Sequence, residues 1–211
     1  MTRFPRGLYA LTPDLADTRL LAGLVSQAIQ GGAAAVQYRN KPAPAALRRE
    51  QAAALLALCR AAGVPLIMND DLELAIAIDA DGAHLGSGDG DLAEARRRLG
   101  SRRLLGASCY NRLALAHAAV AVGADYVAFG AAFASPTKPR AVRAPLELYR
   151  KARRTFPVPI VAIGGITVDN AAELLAAGVD AIAVITALFE AGDVERRARE
   201  LRDLFARVES P

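Results

Sequence analysis

VPLIMNDDLELAIAIDADGAHLGSGD, residues 64–89, is the stretch on which the fold turns. It holds two apolar runs, each ending in polar residues. Leu66-Ile67-Met68 runs into Asn69-Asp70-Asp71, and Gly82-Ala83-His84-Leu85 runs into Gly86-Ser87-Gly88-Asp89. The short apolar-rich segment 72–78 lies between them. The pattern reads strand, helix, strand, with acidic groups at both strand exits. Parallel neighbouring strands would bring Asp70 and Asp89 together at one sheet edge. Two such carboxylates repel unless a cation sits between them, and a hard divalent ion such as Mg2+ is the simplest candidate.

Working outward, the same unit recurs. Helix-ending glycines run straight into apolar strands as GGAAAV, AGVPLI, VGADYV and AGVDAI. Each is an αβ turn of a parallel sheet. Expected strands lie at 7–12, 33–38, 65–69, 82–85, 103–108, 125–130, 158–163 and 180–185. Expected helices lie at 14–30, 45–62, 72–78, 91–99, 113–122, 145–155, 168–177 and 193–208. Eight strands alternating with eight helices, joined by right-handed crossovers, predict an α/β protein: a single (β/α)8 TIM barrel over residues 1–211. The alternative is an open doubly wound sheet.

The chain has 211 residues and a formal net charge of +4. Lys occurs only at positions 41, 138 and 151, so the basic residues are nearly all Arg. Clusters such as Arg96-Arg97-Arg98 lie on helices without interleaved aromatics, which predicts solvated faces and no nucleic-acid partner. Cys59 and Cys109 belong to no metal-ligand or CxxC pattern and suit a reducing compartment. No 18-residue apolar run exists, and MTRFPRGLYALTPD has no secretory signal pattern. A cytoplasmic location with no membrane partner is expected, and a homo-oligomer is compatible with the sequence.

The unusual polar residues fall after strands, the face where barrels build chemistry. They are Gln37, Arg39 and Lys41; Asn69 and Asp70; Asp89; Ser108; and, in the 131–143 loop, Ser135, Thr137 and Lys138. Gly164-Gly165 and Thr186 follow the last two strands. With a helix expected to start near Thr167, the glycine pair would expose backbone N–H groups suited to phosphate. Asp71 is expected to cap the following helix. His84, within an apolar strand, is expected to pack or to make structural hydrogen bonds, and His117 to be structural. Cys109 has no visible activating partner. Arg39, Lys41 and Lys138 beside two carboxylates suit a metal-bound polyphosphate. With no evident nucleophile, the residues point to transfer or elimination driven by departure of a metal-bound leaving group.

In order and spacing, LYALT (8–12), VQYRNK (36–41), IMNDD (67–71), DGAHLGSGD (81–89), GASC (106–109), ADYVAFGAAFASPTKP (124–139), VAIGGI (161–166) and GVDAIAVIT (178–186) resemble the thiamine phosphate synthase family over nearly the whole chain. The resemblance implies two small phosphorylated substrates. A hydroxymethylpyrimidine diphosphate would be joined to a thiazole phosphate, or to its carboxylated form, with Mg2+ and release of pyrophosphate. It implies that Gln37, Arg39, Lys41, Asn69, Ser108 and Lys138 bind the pyrimidine diphosphate, with Arg39, Lys41 and Lys138 catalytic. Asp70 and Asp89 would bind the metal. Ser135, Thr137, Gly165, Ile185 and Thr186 would hold the thiazole phosphate. The chain departs from the family pattern at Ser87, where Gln is frequent, at Asp71 for Arg, at Thr186 for Ser, and at Pro136. Rival readings are a thiazole tautomerase, which carries a His where Ala131 stands, a Schiff-base aldolase using Lys138, and a non-catalytic phosphate-ligand sensor.

Overall fold

The computed structural model describes residues 4–134 and 142–207. Eight parallel strands close into a barrel in chain order: β1 (Gly7–Leu11), β2 (Ala35–Tyr38), β3 (Leu66–Asn69), β4 (Gly82–Leu85), β5 (Leu104–Tyr110), β6 (Tyr126–Gly130), β7 (Ile160–Ile163) and β8 (Ala181–Val184). Strand β1 pairs with both β2 and β8, with Tyr9 opposite Ala35 on one side and Ala183 on the other. The doubly wound alternative is thereby excluded.

The helices that cover the sheet are α1 (Thr18–Gln30), α2 (Ala45–Ala62), α3 (Leu72–Ala77), α4 (Leu92–Leu99), α5 (Leu113–Ala121), α6 (Leu146–Thr155), α7 (Ala171–Ala176), α8 (Thr186–Phe189) and α9 (Val194–Arg207). Among the described residues there are thus nine helices, not eight: the one-turn α8 follows β8 directly. Four residues cannot display an amphipathic period, so periodicity misses it. Helix α1 begins at Thr18 rather than at 14, because the Asp17 carboxylate accepts the Arg19 and Leu20 amides and sets the N-cap. Helix α7 begins at Ala171, and residues 167–170 form a turn in which Asn170 Oδ1 accepts the Thr167 amide. Asp71 caps α3 as expected, accepting from Leu74, and Asp91, expected as the first residue of its helix, instead caps α4, accepting from Glu94.

Two apolar layers follow from strand alternation. Outward residues such as Leu8, Val36, Leu66, Met68, Leu105, Val127 and Ile182 pack under the helices. Inward residues, among them Tyr9, Ile67, Leu104, Tyr126 and Val161, fill the barrel. Phe4 closes its lower end, 1% exposed, its ring stacked on Tyr126 at 3.9 Å and edge-on to Tyr9 at 5.1 Å.

The lower rim is held by one repeated device. Asp81, Asp125 and Asp180 each precede an even strand. Their carboxylates accept the otherwise unpaired amides of Leu66, Leu105 and Ile160 at 2.9, 2.8 and 2.7 Å. Arg96 from α4 pairs with Asp125, and Arg153 from α6 pairs with Asp180 at 2.9 Å. These carboxylates and guanidinium groups of the lower rim are engaged in structure, and chemistry in this fold is built at the opposite rim. None of the helices among the described residues is long and apolar enough to cross a membrane.

Candidate active site

At the upper rim, β3 ends in Asn69 and the chain turns sharply at Asp70, whose φ is 60°. A non-glycine residue in the left-handed region carries strain, and Asp tolerates it better than most because its side chain bonds locally. The Asp70 amide donates to the His84 carbonyl of β4 at 2.9 Å, which pins the turn. Its carboxylate meets Lys41 Nζ at 3.0 Å and lies within bonding reach of Asn69 and Asp89. Asp89 reaches back from the β4 loop, its Oδ2 accepting the Gly86 amide at 2.8 Å. The adjacency expected for the two aspartates is present, with Lys41 as the neighbouring cation.

This pair is electrostatically split. Burial raises the Asp70 carboxyl, but its bonds from Lys41 and Asp89 and the Lys41 charge outweigh that and leave it below the usual carboxylate range. Asp89 is pushed above that range by desolvation and by the Asp70 charge beside it. As pH rises Asp70 therefore loses its proton before Asp89, as neighbouring carboxylates do when one holds the nearer cation.

The cations of the β2 loop are held by residues the sequence did not reveal as site residues. Asp14 accepts Arg39 Nη1 at 2.8 Å and the Lys41 amide at 3.1 Å. Read as part of a helix, Asp14 instead lies in the β1–α1 loop and orients both basic residues. Thr12 Oγ1 bonds both the amide and the carbonyl of Arg39 at 2.8 Å. Asn40 and Tyr38 both donate to buried Gln51 Oε1 at 2.9 Å. Beside Lys41, Asn69 and Asp70 lies a cavity of about 180 Å3, also lined by Arg48, whose Nε is buried without a hydrogen-bond partner.

Below the mouth, a buried polar chain crosses the barrel. Gln37 Nε2 donates to Tyr9 Oη at 2.8 Å, and Tyr9 Oη meets Tyr126 Oη at 2.9 Å. Tyr126 Oη meets His84 Nδ1 at 3.0 Å, and His84 Nε2 meets Ser108 Oγ at 2.9 Å. His84 therefore makes the structural bonds expected of it. Burial holds its pKa down to about 4, so the ring is neutral near pH 7. A Cβ at Gly106 would stand 2.1 Å from Tyr126 Cζ and 2.5 Å from His84 Nδ1, so only glycine leaves room for the two rings. Tyr9 and Tyr126 read in sequence as ordinary strand residues. The signal that could have found them is a polar tip on an inward strand position.

On the other side of the mouth, Gly164 and Gly165 turn with φ of 101° and 64°. A Cβ on Gly165 would lie 2.4 Å from the Ala134 carbonyl, so the turn packs directly against the start of the β6–α6 loop. The helix expected at Thr167 does not start there. Asn170 Nδ2 donates to the Gly165 carbonyl at 2.9 Å and holds the turn open. Ile185 and Thr186 begin α8 on the neighbouring strand exit. Ser135, Thr137 and Lys138 lie outside the described residues. Cys109 points away from the mouth, buried, its thiol pushed up to about 12 by desolvation, which removes it as a nucleophile. His117 packs edge-on to Phe156 at 4.7 Å.

A closed eight-stranded barrel with all these polar groups on its upper rim defines a (β/α)8-barrel enzyme. The family described as "Thiamine monophosphate synthase" matches residues 8–188. The chain belongs to that family. It is 57% identical over 200 residues to a thiamine-phosphate synthase of Aromatoleum aromaticum, covering 95% of this chain and 96% of that one. To one of Thiobacillus denitrificans it is 55% identical over 206 residues, 98% of both chains. The solved structure of a thiamine phosphate pyrophosphorylase from Pyrococcus furiosus superposes with a TM-score of 0.86 at 37% identity over 98% of each chain. With those relatives, the chain is a transferase of thiamine biosynthesis.

Proposed function

We propose that this chain joins a hydroxymethylpyrimidine diphosphate to a hydroxyethylthiazole phosphate, releasing pyrophosphate, with Mg2+ required. The observation that carries the reading is the Asp70–Asp89 carboxylate pair with Lys41 at 3.0 Å over the barrel mouth, in a chain of this family.

The donors suit the metal. Asp70 and Asp89 are hard oxygen ligands that share an excess of negative charge. Among the described residues no group of three or more His, Cys, Asp or Glu side chains is poised to hold a metal. Two carboxylates are nevertheless enough for an ion that keeps several waters and takes its other ligands from substrate phosphates. Mg2+ held there would neutralise charge on the diphosphate. Lys41 and Arg39, oriented by Asp14, stand on the same side and stabilise the negative charge that grows on the leaving group. Gln37, Asn69 and Ser108 bind the pyrimidine part from the barrel mouth, and Lys138 is assigned to the diphosphate by the resemblance. Departure of pyrophosphate leaves a pyrimidine methylene cation stabilised by the ring amino group. The thiazole nitrogen captures it, and the protein supplies no nucleophile.

The thiazole phosphate is assigned to the Gly165 turn and to Ile185 and Thr186, with Ser135 and Thr137. The Thr186 and Ala187 amides lie in the first turn of α8, where helical amides lack intrahelical acceptors. Short extra helices after the last strands are a common phosphate cradle in this fold. The test is pyrophosphate release by the purified chain with both substrates, with and without Mg2+. Release from the pyrimidine diphosphate alone at the full rate, or no release at all, would contradict the proposal.

A further inference from the structure

We propose that the buried chain Gln37–Tyr9–Tyr126–His84–Ser108 is a one-way hydrogen-bond relay that presents an acceptor at Gln37 and a donor at Ser108. It thereby selects a heteroaromatic ring bearing both an exocyclic amino group and a ring nitrogen. Tyr9, Tyr126 and His84 are positioning residues in this scheme: none touches substrate, and each sets the polarity of a group that does. The inference rests on the reading that the pyrimidine lies between Gln37 and Ser108.

The direction follows from counting protons. Gln37 Nε2 donates to Tyr9 Oη. The one other partner of Tyr9 Oη among the described residues is Tyr126 Oη, so the Tyr9 proton goes there. Tyr126, having accepted, gives its own proton to His84 Nδ1. A neutral imidazole that accepts at Nδ1 carries its proton at Nε2 and donates it to Ser108 Oγ. Ser108 has then accepted and keeps its hydroxyl proton for the mouth. At the other end, Gln37 has spent one amide N–H on Tyr9, its second N–H lies within bonding reach of Tyr126, and Oε1 is left for the mouth. Reversing any one link leaves a buried O–H without an acceptor, or sets two donors or two acceptors face to face. Only a concerted reversal of all five groups, with the Gln37 amide turned over, satisfies every proton again.

The rings that carry the relay are confined. Tyr9 and Tyr126 are at most 2% exposed and His84 is 7% exposed. Phe4 stacks on Tyr126 from below, and Gly106 provides the gap in which Tyr126 and His84 meet. An aminopyrimidine offers an N–H to Gln37 Oε1 and a ring nitrogen to the Ser108 hydroxyl. The corresponding oxopyrimidine offers a carbonyl to Gln37 Oε1, acceptor against acceptor. Its binding requires the whole relay to invert.

Two measurements on the full chain test this. The first is the His84 tautomer, from 15N chemical shifts of histidine-labelled protein. With only two histidines in the chain, a His117→Gln variant assigns the rings. A proton on Nε2 with a pyridine-like Nδ1 is expected, and a proton on Nδ1 overturns the relay. The second compares the aminopyrimidine diphosphate with its oxo analogue in unmodified enzyme and in Tyr126→Phe, which deletes the middle link and keeps the ring. The preference for the amino substrate should fall by at least about tenfold, the scale of one buried hydrogen bond. The thiazole phosphate KM should stay unchanged. An unaltered preference, or equal rises in both KM values, overturns the proposal. Absence of pyrophosphate release from the unmodified chain would sink the functional reading instead, and the tautomer would still decide the relay's direction.

Discussion

Asp70 carries more of the proposed chemistry than any other single residue, and its backbone conformation, its ion pair and its depressed pKa converge on one role. The left-handed turn aims the carboxylate over the mouth, and Lys41 keeps it ionised. Asp70→Asn preserves shape and removes the charge. Pyrophosphate release should fall on the order of 100-fold, the scale of removing one key electrostatic group. A titration of rate against Mg2+ should show that excess metal restores little. A variant with unaltered rate and metal response would refute the assignment. His84 yields a prediction of a different kind. Its pKa is about 4 folded, against 6.5 for the free side chain, so between those values the unfolded state binds more protons. Stability therefore falls as pH drops from about 6.5 towards 4, by up to about 3 kcal/mol from this one ring. Urea unfolding at several pH values checks it: His84→Gln should flatten that part of the profile, and an identical slope would contradict the burial argument. At this scale the sequence was partly legible. Asp70, Asp71, Asp89 and Lys41 announced themselves by position after a strand. Asp14, Tyr9 and Tyr126 did not, because their roles depend on partners 25 to 117 residues away.

Among the elements, the even strands divide the labour between the two rims. The lower ends of β4, β6 and β8 are tied by Asp81, Asp125 and Asp180, and the exits of β2 and β4 carry Arg39, Lys41 and Asp89. Asp180→Ala would leave the Ile160 amide and Arg153 without their shared carboxylate. A loss of about 1–3 kcal/mol is expected from an unsatisfied buried donor. Denaturant unfolding reads that loss, while KM for both substrates should not move; a shift in either KM would show that the lower rim reports to the mouth. The strands were legible to within a residue or two, because glycine-terminated helices feed directly into apolar runs. Helix starts were less so. Asp14 and Asp17 are alike in sequence, and only the loop geometry makes Asp17 the cap and Asp14 the partner of Arg39, while Asn170 holds the turn before α7. Helix α8 was invisible because one turn carries no period.

The molecule as a whole is a barrel whose polar mouth gathers residues from six strand exits, and this predicts a ligand effect no single element would show. Inorganic pyrophosphate together with Mg2+ should raise the thermal midpoint. At a hundredfold excess over Kd the stabilisation is about 2.7 kcal/mol, roughly 5–10 °C for a domain of this size. Pyrophosphate or Mg2+ alone should do much less, and Asp70→Asn should abolish the synergy. Equal shifts from pyrophosphate with and without the metal would place the anion elsewhere. The sequence by itself determined the architecture and the ring of candidate residues, since hydrophobic period and turn chemistry are local properties of a chain. Only tertiary structure decided which of those residues meet. Closing the sheet joins β1 to β8 and lets side chains from β1, β2, β4, β5 and β6 bond across one interior. The direction of a hydrogen bond exists only once both partners are in place.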